Sequence, residues 1–259
     1  MTKQNKVTIV VTLYREELPL MEMRALQNNL KVLEKYPFTI VYPQNIDISK
    51  ITEQLERKVE LWPVSEKWLG RQNGIAGYNR MMLSSEFYSH FQDSEYILIC
   101  HTDSWVFKDE LYEWCEKGYD CVAAPWLKRK IYDIFPISLY LKIKNGLSKK
   151  RTRAFLYDKI GNGGLSLRKV DSFLEILSKE SSMVENYLSH HGEHLYNEDV
   201  FWASWQDRLK YPKALEALHF SIDMHPKYCY RLLGELPFGC HKFPSPRVWK
   251  FWKNHITIQ

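Results

Sequence analysis

Asp103 is the single acid in the tetrad His101-Thr102-Asp103-Ser104, which follows the apolar run YILIC at residues 96–100. A carboxylate at the open end of a buried strand can hold a divalent cation against a diphosphate, and hard oxygen ligands suit Mg²⁺ or Mn²⁺. The same carboxylate can instead cap the turn after the strand. Asn197-Glu198-Asp199 stands directly before Val200-Phe201-Trp202-Ala203-Ser204-Trp205, two carboxylates at the mouth of an aromatic helix. One of them can accept a proton from an acceptor hydroxyl while a tryptophan stacks on the sugar. Acids in a first helical turn also favour the helix dipole without any chemistry. Gly161-Asn162-Gly163-Gly164 leads into the alternating Leu165-Ser166-Leu167-Arg168, which lets a ligand or another backbone come close. A bulge or turn uses the same residues, and neither phosphate-loop pattern fits. His241, in PFGCHKF at 237–243, can complete a metal site begun by Asp103, although a lone loop histidine is usually no ligand. His190, His191 and His194 lack the H-E-x-x-H order and read as a solvated polar loop.

The elements that must position these residues follow from periodicity. A β-branched run at 7–14 precedes Met23, Leu26, Leu30 and Leu33 at helical spacing, a strand followed by a helix. Short apolar runs at 38–42 and 59–64 predict two more strands, and 73–77 a loop opening a helix over 78–91. Strands are expected at 96–100, 121–124 and within 161–167, with helices near 109–117, 169–177 and 199–209 and an irregular, aromatic and basic chain beyond Pro226. This alternation predicts one α/β domain over 1–259, a mostly parallel sheet flanked by helices with ligands beyond the carboxyl ends of its strands. Residues 127–153 break the rhythm: basic residues outnumber the single acid Asp133 and alternate with apolar and aromatic ones, an insertion over the site.

The chain has 259 residues, 45% of them apolar, enough for a full core, and a net charge of +5, which fits an anionic partner without choosing one. Five cysteines without a C-x-x-C pair indicate neither a zinc ribbon nor a disulfide framework and fit reduced thiols in a cytosol. The N-terminus meets charge too soon for a secretory segment, and no uncharged run reaches the length of a membrane span. A cytoplasmic protein, peripheral to the inner membrane face at most, is expected. No nucleic-acid recognition motif is present.

Taken in order, the D-x-D-like tetrad, the glycine-rich strand, the x-E-D motif and the late histidine resemble the GT-A glycosyltransferase pattern. The surrounding segments TIVVTLYRE, GYNRMMLSSEFY, HTDSWVF, GNGGLSLRK, NEDVFW and PFGCHKF look like one branch filed as a domain of unknown function. The resemblance implies a Rossmann-like GT-A fold, with Asp103 and His241 holding Mn²⁺ or Mg²⁺. It implies that Thr12, Tyr14 and Arg15 lie near the nucleotide, that Asn79 faces the donor together with Thr102 and Ser104, and that Gly163 and Gly164 line the sugar pocket. Asp199 becomes the base of an inverting enzyme, Glu198 orients the acceptor or the loop, and Trp202 meets the acceptor. The departure is His101 where the pattern has a first carboxylate, which leaves the cation to be held through water and phosphate or makes His101 itself a ligand.

The implied reaction moves a hexose from a nucleotide-diphosphate sugar, with UDP the commonest carrier, onto a glycan or lipid-linked glycan in surface polysaccharide synthesis. Segment 127–153 and the terminal run KFPSPRVWKFWK can dock on anionic lipid or grip a pyrophosphate-linked acceptor, or be an ordinary solvated loop and an irregular tail at 242–259. The rival readings are a retaining transferase and a non-catalytic nucleotide-sugar or carbohydrate-binding module of GT-A descent. A nucleotidyltransferase would want a glycine-rich loop where Tyr14-Arg15-Glu16-Glu17 stands.

Overall fold

The computed structural model describes residues 3–70, 72–147, 152–190 and 192–258. His191 and residues 148–151 of the expected insertion lie outside these. A six-stranded sheet forms the centre, in the order β3-β2-β1-β4-β7-β6. Its strands are β1 (Asn5–Thr12), β2 (Phe38–Pro43), β3 (Glu60–Val64), β4 (Ser94–Cys100), β6 (Cys121–Ala123) and β7 (Leu165–Lys169). β5 (Trp105–Val106), β8 (Ser221–Ile222) and β9 (Gly239–Cys240) make a small second sheet in the order β5-β9-β8.

β1, β2, β3 and β4 are parallel, and β7 runs antiparallel to both β4 and β6. Helices cover both faces, so the inner strands read as continuous apolar runs rather than alternating ones. Val7, Ile9 and Val11 face one core with Met23, Leu26 and Leu30 of the helix Leu20–Val32 and Leu33 just after it, while Val10, Ile97 and Ile99 face the other with Met81, Phe87 and Trp202. From β1 the chain builds outward through β2 and β3, then returns to β4 on the opposite side of β1. The crevice at the carboxyl ends of β1 and β4 is therefore the point where strand order reverses.

Three helical expectations change. The helix expected over 78–91 is two, Gly74–Met82 and Ser85–His90, because Ser84 takes an extended backbone and its side chain accepts a hydrogen bond from the Glu86 amide, which caps a new helix. The helix expected over 199–209 spans only Glu198–Ala203, and the Ser204 hydroxyl turns back to the Phe201 carbonyl where it stops. Beyond Pro226 the chain is ordered, with helices Pro226–Leu233 and Pro246–Trp252. Each begins on proline, whose missing amide costs nothing at a first helical position.

The terminal aromatic run is consequently structural. Phe243, Val248, Trp252 and Ile256 form a third core with Trp105, Ile222 and Cys240, so the apolar residues of that run are spent on packing within the protein. Trp252→Ala should destabilise the protein by about 3–5 kcal/mol, the loss typical of a large core aromatic. A chemical-denaturation curve checks this, and an unchanged midpoint would mean that the terminal helix is not part of the core.

Candidate active site

The register of the two sheets assembles the site. Cys100 pairs with Leu165, which sets His101 beside Gly164, and the His101 amide donates to the Gly164 carbonyl at 2.9 Å. In the small sheet Trp105 pairs antiparallel with Cys240, so the residues just before β5 meet those just after β9. Asp103 and His241 thereby come together, with Oδ1 and Nε2 3.2 Å apart. Ile222 pairs parallel with Cys240, which places Asp223 beside His241, its Oδ1 3.1 Å from Nδ1.

One ligand atom each from His101, Asp103 and His241 lies within 4.8 Å of the others, a donor set able to hold a metal ion. Asp223, buried behind His241, occupies the position of a carboxylate that fixes the tautomer and orientation of a ligating imidazole. Burial opposes charge on His241, but Asp103 and Asp223 push it up to about 9. Burial and the neighbouring His241 lower His101 to about 3, leaving a neutral imidazole whose Nε2 lies 2.8 Å from the Tyr78 hydroxyl. Burial would raise the Asp103 carboxyl, yet His241 holds it well below the usual carboxylate range.

A cleft of about 500 Å³ opens in front of this cluster, lined by Thr12, Tyr14, Glu22, Tyr78, His101 and Asp103 among others. Thr102 also lines it and donates its hydroxyl to Glu22. Arg15 stands at the rim, donating to the Tyr14 hydroxyl at 2.8 Å, with its guanidinium carbon 4.7 Å from the ring centroid. The glycines lie deeper. A Cβ on Gly164 would overlap the His241 ring, and one on Gly163 the Glu198 carboxylate, so protein side chains fill the space that the sequence reading gave to a sugar.

Three further expectations are not met. Ser104 is buried and donates its hydroxyl to the Gly164 carbonyl at 3.0 Å, so it faces the sheet rather than a donor. Asn79 is buried too: its Oδ1 accepts from the Glu198 amide and its Nδ2 donates to Asn197, each at 3.1 Å, which holds the x-E-D turn in place. Trp202 is only 2% exposed and packs 3.9 Å from the Phe173 ring centroid, so it cannot stack on an acceptor.

Glu198 and Asp199 separate into different environments. Glu198 is buried against Arg168 of β7, with Oε2 3.1 Å from Nη2, and Arg168 also donates to Tyr88 at 2.8 Å and Ser166 at 3.0 Å. Glu198 is thus a structural partner. Among the described residues Asp199 makes no such ion pair: it accepts from the Val200 amide at 2.8 Å, and burial together with the adjacent Glu198 raises its carboxyl to about 7. A carboxyl poised there is suited to general acid–base work.

The sequence reading did not find Asp223, Glu22, Tyr78 or Arg168. Asp223 follows a two-residue strand too short to detect by pattern, and Arg168 takes a polar place in the alternating LSLRK of β7, where nothing in the sequence marks it as buried.

This sheet order, with its reversed β7 and crevice at β1 and β4, is the GT-A fold of nucleotide-sugar transferases. It is similar to mouse xyloside xylosyltransferase 1 in its apo form, with a TM-score of 0.53 and 13% identity over 92% of this chain and 97% of that one. It is similar also to the galactosyltransferase LgtC in complex with donor and acceptor sugar analogues, with a TM-score of 0.55 and 14% identity over 92% and 87%. Identities this low establish the fold alone. The chain belongs to the family DUF5672, described as a protein of unknown function, whose pattern matches residues 58–241. No curated protein sequence matches it.

Glu198→Ala should cost about 3–5 kcal/mol, because Arg168 would be left as a buried, unpaired charge. Arg168→Met with Glu198→Met should recover most of that loss, and urea melts of both variants check it. Asp199 gives a pH signature of its own. Between the usual carboxylate range and about 7 the native state keeps a proton on Asp199 that the unfolded chain has lost, so this group's contribution to stability falls as pH rises through that window. His101, lowered to about 3, adds the opposite slope to both proteins, so the readout is the difference: the denaturation midpoint of the native protein relative to Asp199→Asn should fall as pH rises through the window.

Proposed function

We propose that the protein is a glycosyltransferase that moves a hexose from a nucleotide-diphosphate sugar, UDP the first carrier to test, onto a glycan or lipid-linked glycan acceptor of a surface polysaccharide. The observation that carries this reading is the His101, Asp103 and His241 cluster at the head of a cleft at the GT-A strand reversal. Thr12, Tyr14 and Arg15, at the end of β1, would hold the nucleotide, with Tyr14, 48% exposed, as the ring available to a base.

His101, Asp103 and His241 would hold a divalent cation. Two imidazoles and one carboxylate favour Mn²⁺ over Mg²⁺, which prefers an all-oxygen shell. When bound, the cation supplies positive charge against the diphosphate as the sugar bond breaks. His101 remains neutral and able to ligate, and Asp223 keeps the Nε2 face of His241 turned toward Asp103. Asp199 would take the proton of the attacking hydroxyl. Because Glu198 is committed to Arg168, the pair offers one available carboxylate, which supports a single displacement with inversion.

The test is a panel of nucleotide sugars with and without Mn²⁺ or Mg²⁺, scored for released nucleotide diphosphate and for the anomeric configuration of the product. One donor should be cleaved only with metal and not by Asp103→Ala, and Asp199→Asn should lower kcat by roughly 10²- to 10⁴-fold. Turnover should fall as pH drops below about 7, where Asp199 gains its proton. Donor binding without turnover would make the chain a binding module of GT-A descent, and a retained configuration would remove Asp199 as the base.

A further inference from the structure

Between β6 and β7 the chain leaves the domain and returns. Its stem is closed by the Pro125–Ile160 bridge and by the Trp126 amide donating to the Lys159 carbonyl at 2.9 Å. Beyond the stem, the helix Ile137–Leu147 buries none of its residues, although more than half of them are apolar. Of the fifteen large hydrophobic side chains exposed among the described residues, seven lie between 131 and 147. Such a concentration marks an interaction surface rather than the normal scatter of exposed apolar groups.

The pattern on the helix says what kind of surface. Leu139, Ile143 and Leu147 recur every four residues and form one stripe with Tyr140, while Lys142 and Lys144 fall to either side of it. Ile134 and Phe135 extend the apolar face, and Lys128, Arg129 and Lys130 precede it against the single acid Asp133. A protein partner of ordinary composition would not need cations on both flanks of an apolar ridge. An interfacial helix does: its apolar stripe enters the acyl boundary and its lysines reach phosphate headgroups.

The geometry points to this excursion as a peripheral docking surface for a bilayer containing anionic phospholipid. The root of the surface adjoins the catalytic side, because the Gly161 backbone separates the Trp126 ring from the Asp199 carbonyl: a Cβ there would stand 2.7 Å from each. Docking would hold Asp199 at the height of an acceptor carried on lipid, a consequence that rests on the transferase reading. The docking itself does not.

The experiment is flotation of the full chain with vesicles of phosphatidylcholine alone and of phosphatidylcholine with phosphatidylglycerol, at low and high salt. Binding is expected only to the anionic vesicles and should be lost in high salt. Lys142→Gln with Lys144→Gln should weaken it by roughly 30-fold. Leu139→Ser with Ile143→Ser and Leu147→Ser should abolish it while leaving the thermal melt unchanged, since none of these side chains is buried in a core. Equal binding to neutral vesicles, or none to either, would overturn the proposal whatever the donor assay gives. A concentration-dependent dimer that disappears in the serine variant would overturn it too, by showing that a second copy covers the stripe.

Discussion

The site depends on two positions where no side chain fits. At Gly163 and Gly164 the backbone of the chain entering β7 lies flush against the Glu198 carboxylate and the His241 ring. Any Cβ there would expel one or the other, so the x-E-D helix, the late histidine and the strand beside β4 can meet only if this stretch is glycine. The Gly164 carbonyl uses the same closeness, accepting from the His101 amide and the Ser104 hydroxyl. Segments far apart in the chain are thus tied to one peptide, and the glycines serve protein packing before any ligand arrives.

Around that peptide the charges are arranged in two systems with different consequences. Arg168 is buried in a strand, a placement tolerated because Glu198, Tyr88 and Ser166 accept from it. Pairing with Arg168 removes Glu198 from chemistry, and the buried negative charge that remains nearby raises its neighbour Asp199. On the other side of Gly164, His241 stands between two carboxylates, Asp103 toward the cleft and Asp223 behind. On the reading that His101, Asp103 and His241 hold a cation, a charged His241 would compete with it, so binding would release a proton.

The large elements were legible because they are long and periodic: the central strands, the helix after β1 and the helix after β7 occur close to where the apolar spacing puts them. The likeness of the tetrad, glycine run, x-E-D and late histidine to the GT-A pattern led to the right fold. What escaped was set by tertiary register. β5, β8 and β9 are two residues each, below any periodic signal, yet their pairing alone brings Asp103, His241 and Asp223 together. Trp202 and Ser104 were misplaced for a related reason, since residue type alone does not say which face of a short element looks inward.

These placements leave the two ends of the cleft unequally equipped. The end proposed for the nucleotide is floored by the termini of β1 and β4 and carries a neutral imidazole and an exposed aromatic ring in Tyr14. The x-E-D helix and the turn after it offer no exposed aromatic ring, because Trp202 and Trp205 are both buried in the core. On the proposed transferase reading, contacts with an acceptor would come from elements around the helix rather than from its own rings. A fold that fixes His101, Asp103 and His241 by sheet register can vary the segments around them without disturbing the cluster at Gly164.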